Sequence, residues 1–145
     1  YKNFSVYIPH RHNEGYGINK TAIEKFIKEK VNLIITVDLG ITNLEEIKFA
    51  NSLGIKSIII DHHEAVLAQN EQGEYTEVLP EANAIINPKQ KNCNYKFKKM
   101  CGAGLSYKFI STYYKEEKLE FLNSIKSNLQ SRSEERSRKI SASCY

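Results

Sequence analysis

Two stretches of almost unbroken aliphatic and β-branched residues, VNLIITVD (31–38) and KSIIID (56–61), constrain this chain more than any other feature. A strand that faces water on one side alternates apolar and polar residues. A continuous apolar run instead suits a strand covered on both faces, as in a parallel sheet. Between the two runs lies a helical pattern, Leu44, Ile47, Ala50 and Leu53, stopped by Gly54, with Asn43 and Glu46 spaced as a capping box. Strand, helix and strand across 31–61 form a βαβ unit, so the two strands run parallel and the crossover is right-handed. The predicted fold class is α/β, a parallel sheet flanked by helices.

The rest of the chain is read around that unit. FSVYIP (4–9) predicts a short strand stopped by Pro9, and HRHNEGYGIN (10–19) a loop. Asn19 caps a helix over 20–30 with Ile23, Phe26 and Ile27 on one face. Residues 64–83 hold one Gly, one Pro and no sustained period, which predicts a long surface loop. AIIN (84–87) before Pro88 is a short strand. From Gly102 a helix begins with Leu105, Phe109 and Tyr113 inward, and a second amphipathic stretch carries Leu119, Leu122, Ile125 and Leu129. No internal repeat is visible.

At 145 residues the chain is long enough for one domain with a real core. With 41% hydrophobic and 26% charged residues it reads as globular, and no apolar run is long enough to span a membrane. Cys93, Cys101 and Cys144 are odd in number and widely spaced, which fits reduced thiols in a cytoplasmic protein rather than a disulfide framework or zinc site. No signal peptide is visible. The chain starts at Tyr1 and its only Met is Met100, so a missing N-terminus is expected. The net charge of +4 permits a polyanionic partner without requiring one. Two local basic segments, NYKFKK (94–99) and SRSEERSRK (131–139), fit either a solvated surface or contact with nucleic acid.

The chemistry concentrates at the strand ends. Asp38 closes the first long strand; Asp61, His62 and His63 close the next. In a βαβ unit both ends open on one edge of the sheet, where open α/β folds bind their ligands. Carboxylates with imidazoles suit divalent transition ions such as Mn²⁺, with Zn²⁺ or Co²⁺ as alternatives, whereas Mg²⁺ prefers oxygen alone. An ion held there can lower the pKa of water for attack on a phosphorus centre. The alternative is two surface histidines and two helix-capping aspartates. His10 and His12 form a second pair, read as loop histidines.

The order of motifs adds a family resemblance. YIPHR (7–11), EGYGIN (14–19), ITVDLGIT (35–42), SLGIKSIIIDHH (52–63), EANAIINP (81–88) and CGAGLSYKF (101–109) resemble the successive motifs of the DHH phosphoesterase superfamily, and within it those of the RecJ-like single-strand-specific DNA exonucleases. The resemblance covers about residues 5–115. It implies metal ligation by Asp38 and His62, with Asp61 binding metal or orienting an imidazole. His63 and Arg11 are implied as contacts of the scissile phosphate. Gly102, Ala103 and Gly104 open a helix whose amides can receive a phosphate, or alternatively allow close helix packing. It further implies Mn²⁺ or Mg²⁺ as cofactor and single-stranded DNA as partner. Degradation would run 5′ to 3′, in DNA repair and recombination, by a monomeric cytoplasmic enzyme.

The sequence also departs from that pattern. The Asp-rich motif that precedes this region in the family is not in the chain, and no Asp follows Asp61. Asn123 stands where an Asp is usual, and Leu39 where a polar residue or Cys is more frequent. The expected organisation is a partial DHH domain over 1–122 and a divergent polar and basic tail over 123–145, the chain being a fragment of a longer exonuclease. Two other functions remain open: a phosphodiesterase for short oligonucleotides or cyclic dinucleotides, and a remnant without turnover.

Overall fold

A computed structural model describes residues 3–9 and 17–114 of the chain. In chain order its elements are helix α1 (Lys20–Lys28), strand β1 (Leu33–Val37), helix α2 (Leu44–Ser52), strands β2 (Lys56–Ile60), β3 (Val66–Gln69), β4 (Tyr75–Val78) and β5 (Ala84–Ile86), and helix α3 (Gly102–Tyr113). β1, β2 and β5 form a parallel sheet in the order β1-β2-β5, with Ile35 opposite Ile58 and Ile59 opposite Ile85. The predicted βαβ unit is thus present, and a third parallel strand extends it.

α1 begins where the sequence caps it: the Ala22 amide donates to Asn19 Oδ1 at 2.8 Å. Its apolar face buries Ala22, Ile23 and Phe26 against Ile47, Ala50, Ile55 and Ile59, and this cluster is the core. Ile59 on the central strand is fully buried. Gly54, at φ +79°, takes the left-handed turn that ends α2.

Several expectations fail, each for a local reason. β1 is buried on one face only: Ile34 and Thr36 point inward, while Leu33, Ile35 and Val37 are 45–47% exposed. A continuous apolar run specifies strand but not how much covers it. Asn43 does not close a capping box on α2. Its amide nitrogen donates to the Ile18 carbonyl and to Glu46 Oε2, both at 3.2 Å, which fastens the approach to α1 onto the start of α2. FSVYIP pairs with no described strand, and a strand without a ladder partner gains no backbone hydrogen bonds. Tyr7 anchors it instead, meeting Phe26 edge-to-face at 5.3 Å.

The expected loop over 64–83 contains a hairpin, β3 pairing antiparallel to β4 with Val66 opposite Val78. Both strands lie largely at the surface, so no apolar alternation marked them. Their turn is stabilised by Asn70, whose Oδ1 accepts the amides of Gln72 and Glu74, and by Gly73 at φ +82°.

The chain divides into two compact units, Tyr1–Ser106 and Tyr107–Tyr145. All five strands lie in the first. In the second, α3 ends with Tyr113, 62% exposed rather than inward, its ring edge-on to Tyr114 at 5.2 Å. The tail and the boundary expected at residue 122 lie outside the described residues.

The core is centred on β2, which sets the first test. Replacing Ile59 by Ala leaves a cavity between the sheet and α2 and is expected to cost about 2–5 kcal/mol. Urea denaturation of the two proteins measures this. An unchanged midpoint would place the stabilising core elsewhere.

Candidate metal centre

The parallel register delivers the ends of β1 and β2 to one edge, and the ladder continues one residue past each. Asp38 N donates to Ile60 O at 2.9 Å, and Asp61 N to Ile86 O at 3.0 Å. These are the only two aspartates in the sequence. They reach the same edge but have opposite environments.

Asp61 is 1% exposed. Its Oδ2 accepts the Ile41 amide at 3.0 Å. Its Oδ1 accepts the amides of His62 at 2.7 Å and His63 at 3.3 Å, and contacts His63 Nδ1 at 2.6 Å. Burial alone pushes this carboxyl up. The hydrogen bonds from Ile41, from the His63 ring and from the His62 and His63 amides outweigh it, so the pKa falls below the ordinary 3.8. An ionised carboxylate only accepts, so His63 Nδ1 is the donor and the neutral ring keeps its lone pair on Nε2. Asn87 gives a second hold on the same residue: its Nδ2 donates to the His63 carbonyl at 2.9 Å.

Asp38 faces outward at φ +64°, a left-handed conformation that Asp tolerates better than most residues. Thr36 Oγ1 donates to the Leu39 carbonyl at 2.8 Å and fixes the turn behind it. His62 Nε2 lies 3.0 Å from Asp38 Oδ1, and the two imidazole centroids are 4.5 Å apart. Ligand atoms of Asp38, His62 and His63 all lie within 4.8 Å of one another. One carboxylate and two imidazoles in that space are a donor set suited to a divalent transition ion.

The predicted convergence therefore occurs, with distinct parts for its members. Asp38, His62 and His63 form the group with ligand spacing, and Asp61 stands behind it with its oxygens engaged by Ile41, His62 and His63. Gly102 is buried against Asp38: a Cβ there would lie 2.7 Å from Asp38 Cβ and 2.8 Å from its Cγ. Close packing is thus a requirement at Gly102. Ala103 is exposed, and a Cβ on Gly104 would lie 2.9 Å from Met100 Cγ. Arg11, His10 and His12 lie outside the described residues. Sequence reasoning missed Asn87 and Ile41 as supports. The INP motif signalled the first; nothing in the pattern signalled that a buried isoleucine would lend its amide.

The profile of the DHH family, N-terminal domain, matches residues 1–130. The chain belongs to the DHH family. It is 42% identical over 102 residues to the single-stranded-DNA-specific exonuclease RecJ of Bacillus subtilis (strain 168), covering 70% of this chain and 12% of that protein. It is 33% identical over 105 residues to the RecJ of Escherichia coli (strain K12), covering 72% of this chain and 16% of that protein. A crystal structure of exonuclease RecJ bound to manganese matches with a TM-score of 0.61 at 27% identity, over 78% of this chain and 26% of that one. The family and the α/β fold expected from the motifs both stand. This DHH chain matches only a small part of the length of those curated relatives, and among its described residues no helix is long and apolar enough to cross a membrane.

Asp61→Asn tests the buried hub. An amide offers one oxygen where two accept, so a buried N–H loses its partner, and stability at neutral pH should fall by about 1–3 kcal/mol. The folded pKa of Asp61 is lowered, so its contribution is full above the unfolded value and is lost as pH falls through the folded one. The gap between parent and variant should therefore narrow in acid. Urea melts across that range read it, and a gap independent of pH would mean that the negative charge is not what stabilises.

Proposed function

We propose that this chain supplies the metal- and phosphate-handling part of a single-strand-specific DNA exonuclease dependent on a divalent metal. One observation carries the reading: Asp38, His62 and His63 gather within 4.8 Å at the carboxyl edge of the sheet. The 42% identity to a single-stranded-DNA-specific exonuclease supports the choice of substrate.

Asp38 and His62 hold the ion, Mn²⁺ or Mg²⁺, with the imidazoles favouring Mn²⁺. When bound, such an ion supplies Lewis acidity and a lowered water pKa. His63 faces the scissile phosphate, its ring fixed by Asp61 from behind. Asp61 is thus a positioning residue: it sets the tautomer and orientation of its neighbour. Arg11 contributes a bidentate phosphate contact on the strength of its motif. The first amides of α3, at Gly102, Ala103 and Gly104, receive a phosphate oxygen. Developing charge on the phosphate is met by Arg11 and, in its form protonated at both ring nitrogens, by His63. We assign the DHH part to residues 1–122, with a polar and basic tail over 123–145. The activity is 5′ to 3′ degradation to mononucleotides by a monomer in the cytoplasm, serving repair and recombination.

Mn²⁺ titration by calorimetry, paired with degradation of labelled single-stranded DNA, tests this on the full chain, on His62→Ala and on Gly102→Ala. The parent should bind Mn²⁺ and degrade the strand. His62→Ala should lose about tenfold or more in affinity, since losing even a hydrogen-bond partner of a metal ligand costs that much. Gly102→Ala should also weaken binding, because its Cβ displaces Asp38. Equal affinity in all three proteins would refute the assignment of the centre.

A further inference from the structure

The segment 88–101, between β5 and α3, is fastened to the candidate centre at both ends. At its start Asn87 holds the His63 carbonyl, and Lys89 Nζ pairs with Glu64 Oε1 at 2.9 Å. At its end Gly102 packs against Asp38. The middle is braced from within. Lys98 Nζ donates to the carbonyls of Pro88 at 2.7 Å and Cys93 at 2.6 Å, and the Cys93 amide donates to Gln90 O at 3.0 Å. The Lys91 amide bonds the Glu77 carboxylate at 3.2 Å, tying the segment to β4.

This frame displays Tyr95 and Phe97 to solvent, Phe97 at 56% exposure, with Lys96 and Lys99 exposed beside them. Lys98 closes the loop, so the aromatic rings stand on a braced surface rather than a floppy one. Aromatic faces that stack on bases, interleaved with cations that attract phosphates, are the means by which proteins hold a single strand without reading its sequence. Such a surface is also pre-organised, which lowers the entropy lost on binding.

The geometry points to residues 94–99 as a stacking platform for the single strand beside the metal centre. Phe97 and Tyr95 offer faces to successive bases, and Lys96 and Lys99 neutralise the flanking phosphates. This inference rests on the proposed function for the presence of the strand. It adds where the strand is gripped and which part of it is recognised: the base faces, not only the backbone.

Fluorescence anisotropy with two labelled probes, an oligothymidylate and an abasic oligomer of equal length, tests it in chelator, where no cleavage occurs. The parent chain should bind oligothymidylate more tightly than the abasic oligomer. Phe97→Ala should weaken oligothymidylate binding by about 5- to 150-fold, the scale of one stacked base, and leave abasic binding unchanged. Phe97→Trp should keep the preference. Lys96→Ala and Lys99→Ala should weaken both probes alike, each lowering the salt slope by about 0.7.

Equal binding of both probes by the parent, no binding of either, or Phe97→Ala behaving as the parent would each overturn the platform. The probe preference is read without metal or turnover. Loss of Mn²⁺-dependent degradation in the parent would therefore count against the proposed function alone.

Discussion

The arrangement of the centre depends on one buried carboxylate. Asp61 gathers the amide that follows the β1 turn, the two amides that follow β2, and one imidazole nitrogen. No backbone ladder links these groups, because the parallel pairing of β1 and β2 ends where the turns begin. The carboxylate replaces the missing ladder. Burying it is costly in itself, and only the density of donors around it makes the ionised form the stable one. A site assembled this way holds the His63 imidazole through a bond internal to the protein.

Asp38 illustrates the complementary demand. It sits in a left-handed conformation that costs energy for a residue with a Cβ, and such strain persists only where the surroundings determine it. Three features do so here: the Thr36 hydroxyl on the Leu39 carbonyl, the turn at Gly40 with φ +113°, and a Gly102 whose missing Cβ gives Asp38 room. The helix that follows the sheet thus opens on a residue with no Cβ to collide with Asp38.

Much of this was legible in residue order. The period-less apolar runs gave the parallel strands, Asn19 and Gly54 gave helix limits, and the strand ends gave the convergence of Asp38, Asp61, His62 and His63. What was not legible depends on partners distant in sequence. The amide of Asn43 could cap its own helix or reach Ile18, and only the packing of α1 on α2 decides. The β3–β4 hairpin is polar and lies at the surface, so burial leaves no pattern in it, although Asn70 and Gly73 carried the turn chemistry. The GAG run offered phosphate binding or close packing, and the contact with Asp38 emerges only when a helix and a strand distant in sequence are brought together.

Side-chain parity explains why the motif takes its particular order. Thr36, Ile59 and Ile85 are neighbours across the sheet and share one face with Ile34 and Ser57. Continuing two residues along each strand places Asp38, Asp61 and Asn87 on that inward face. Asp61 and Asn87 follow the rule and are buried, at 1% and 3% exposure. Asp38 escapes it, because φ +64° turns the chain before the side chain can enter the core. One strand therefore sends its terminal carboxylate inward to build the frame, and its neighbour sends an equivalent carboxylate outward, within 3.0 Å of His62 Nε2. The two histidines that follow the inward one lie beyond the strand end, where His62 reaches the outward carboxylate and His63 turns back to the inward one. Exchanging the order of Asp61 and His62 would bury an imidazole among three backbone amides that it cannot accept together, and would leave no carboxylate to hold them.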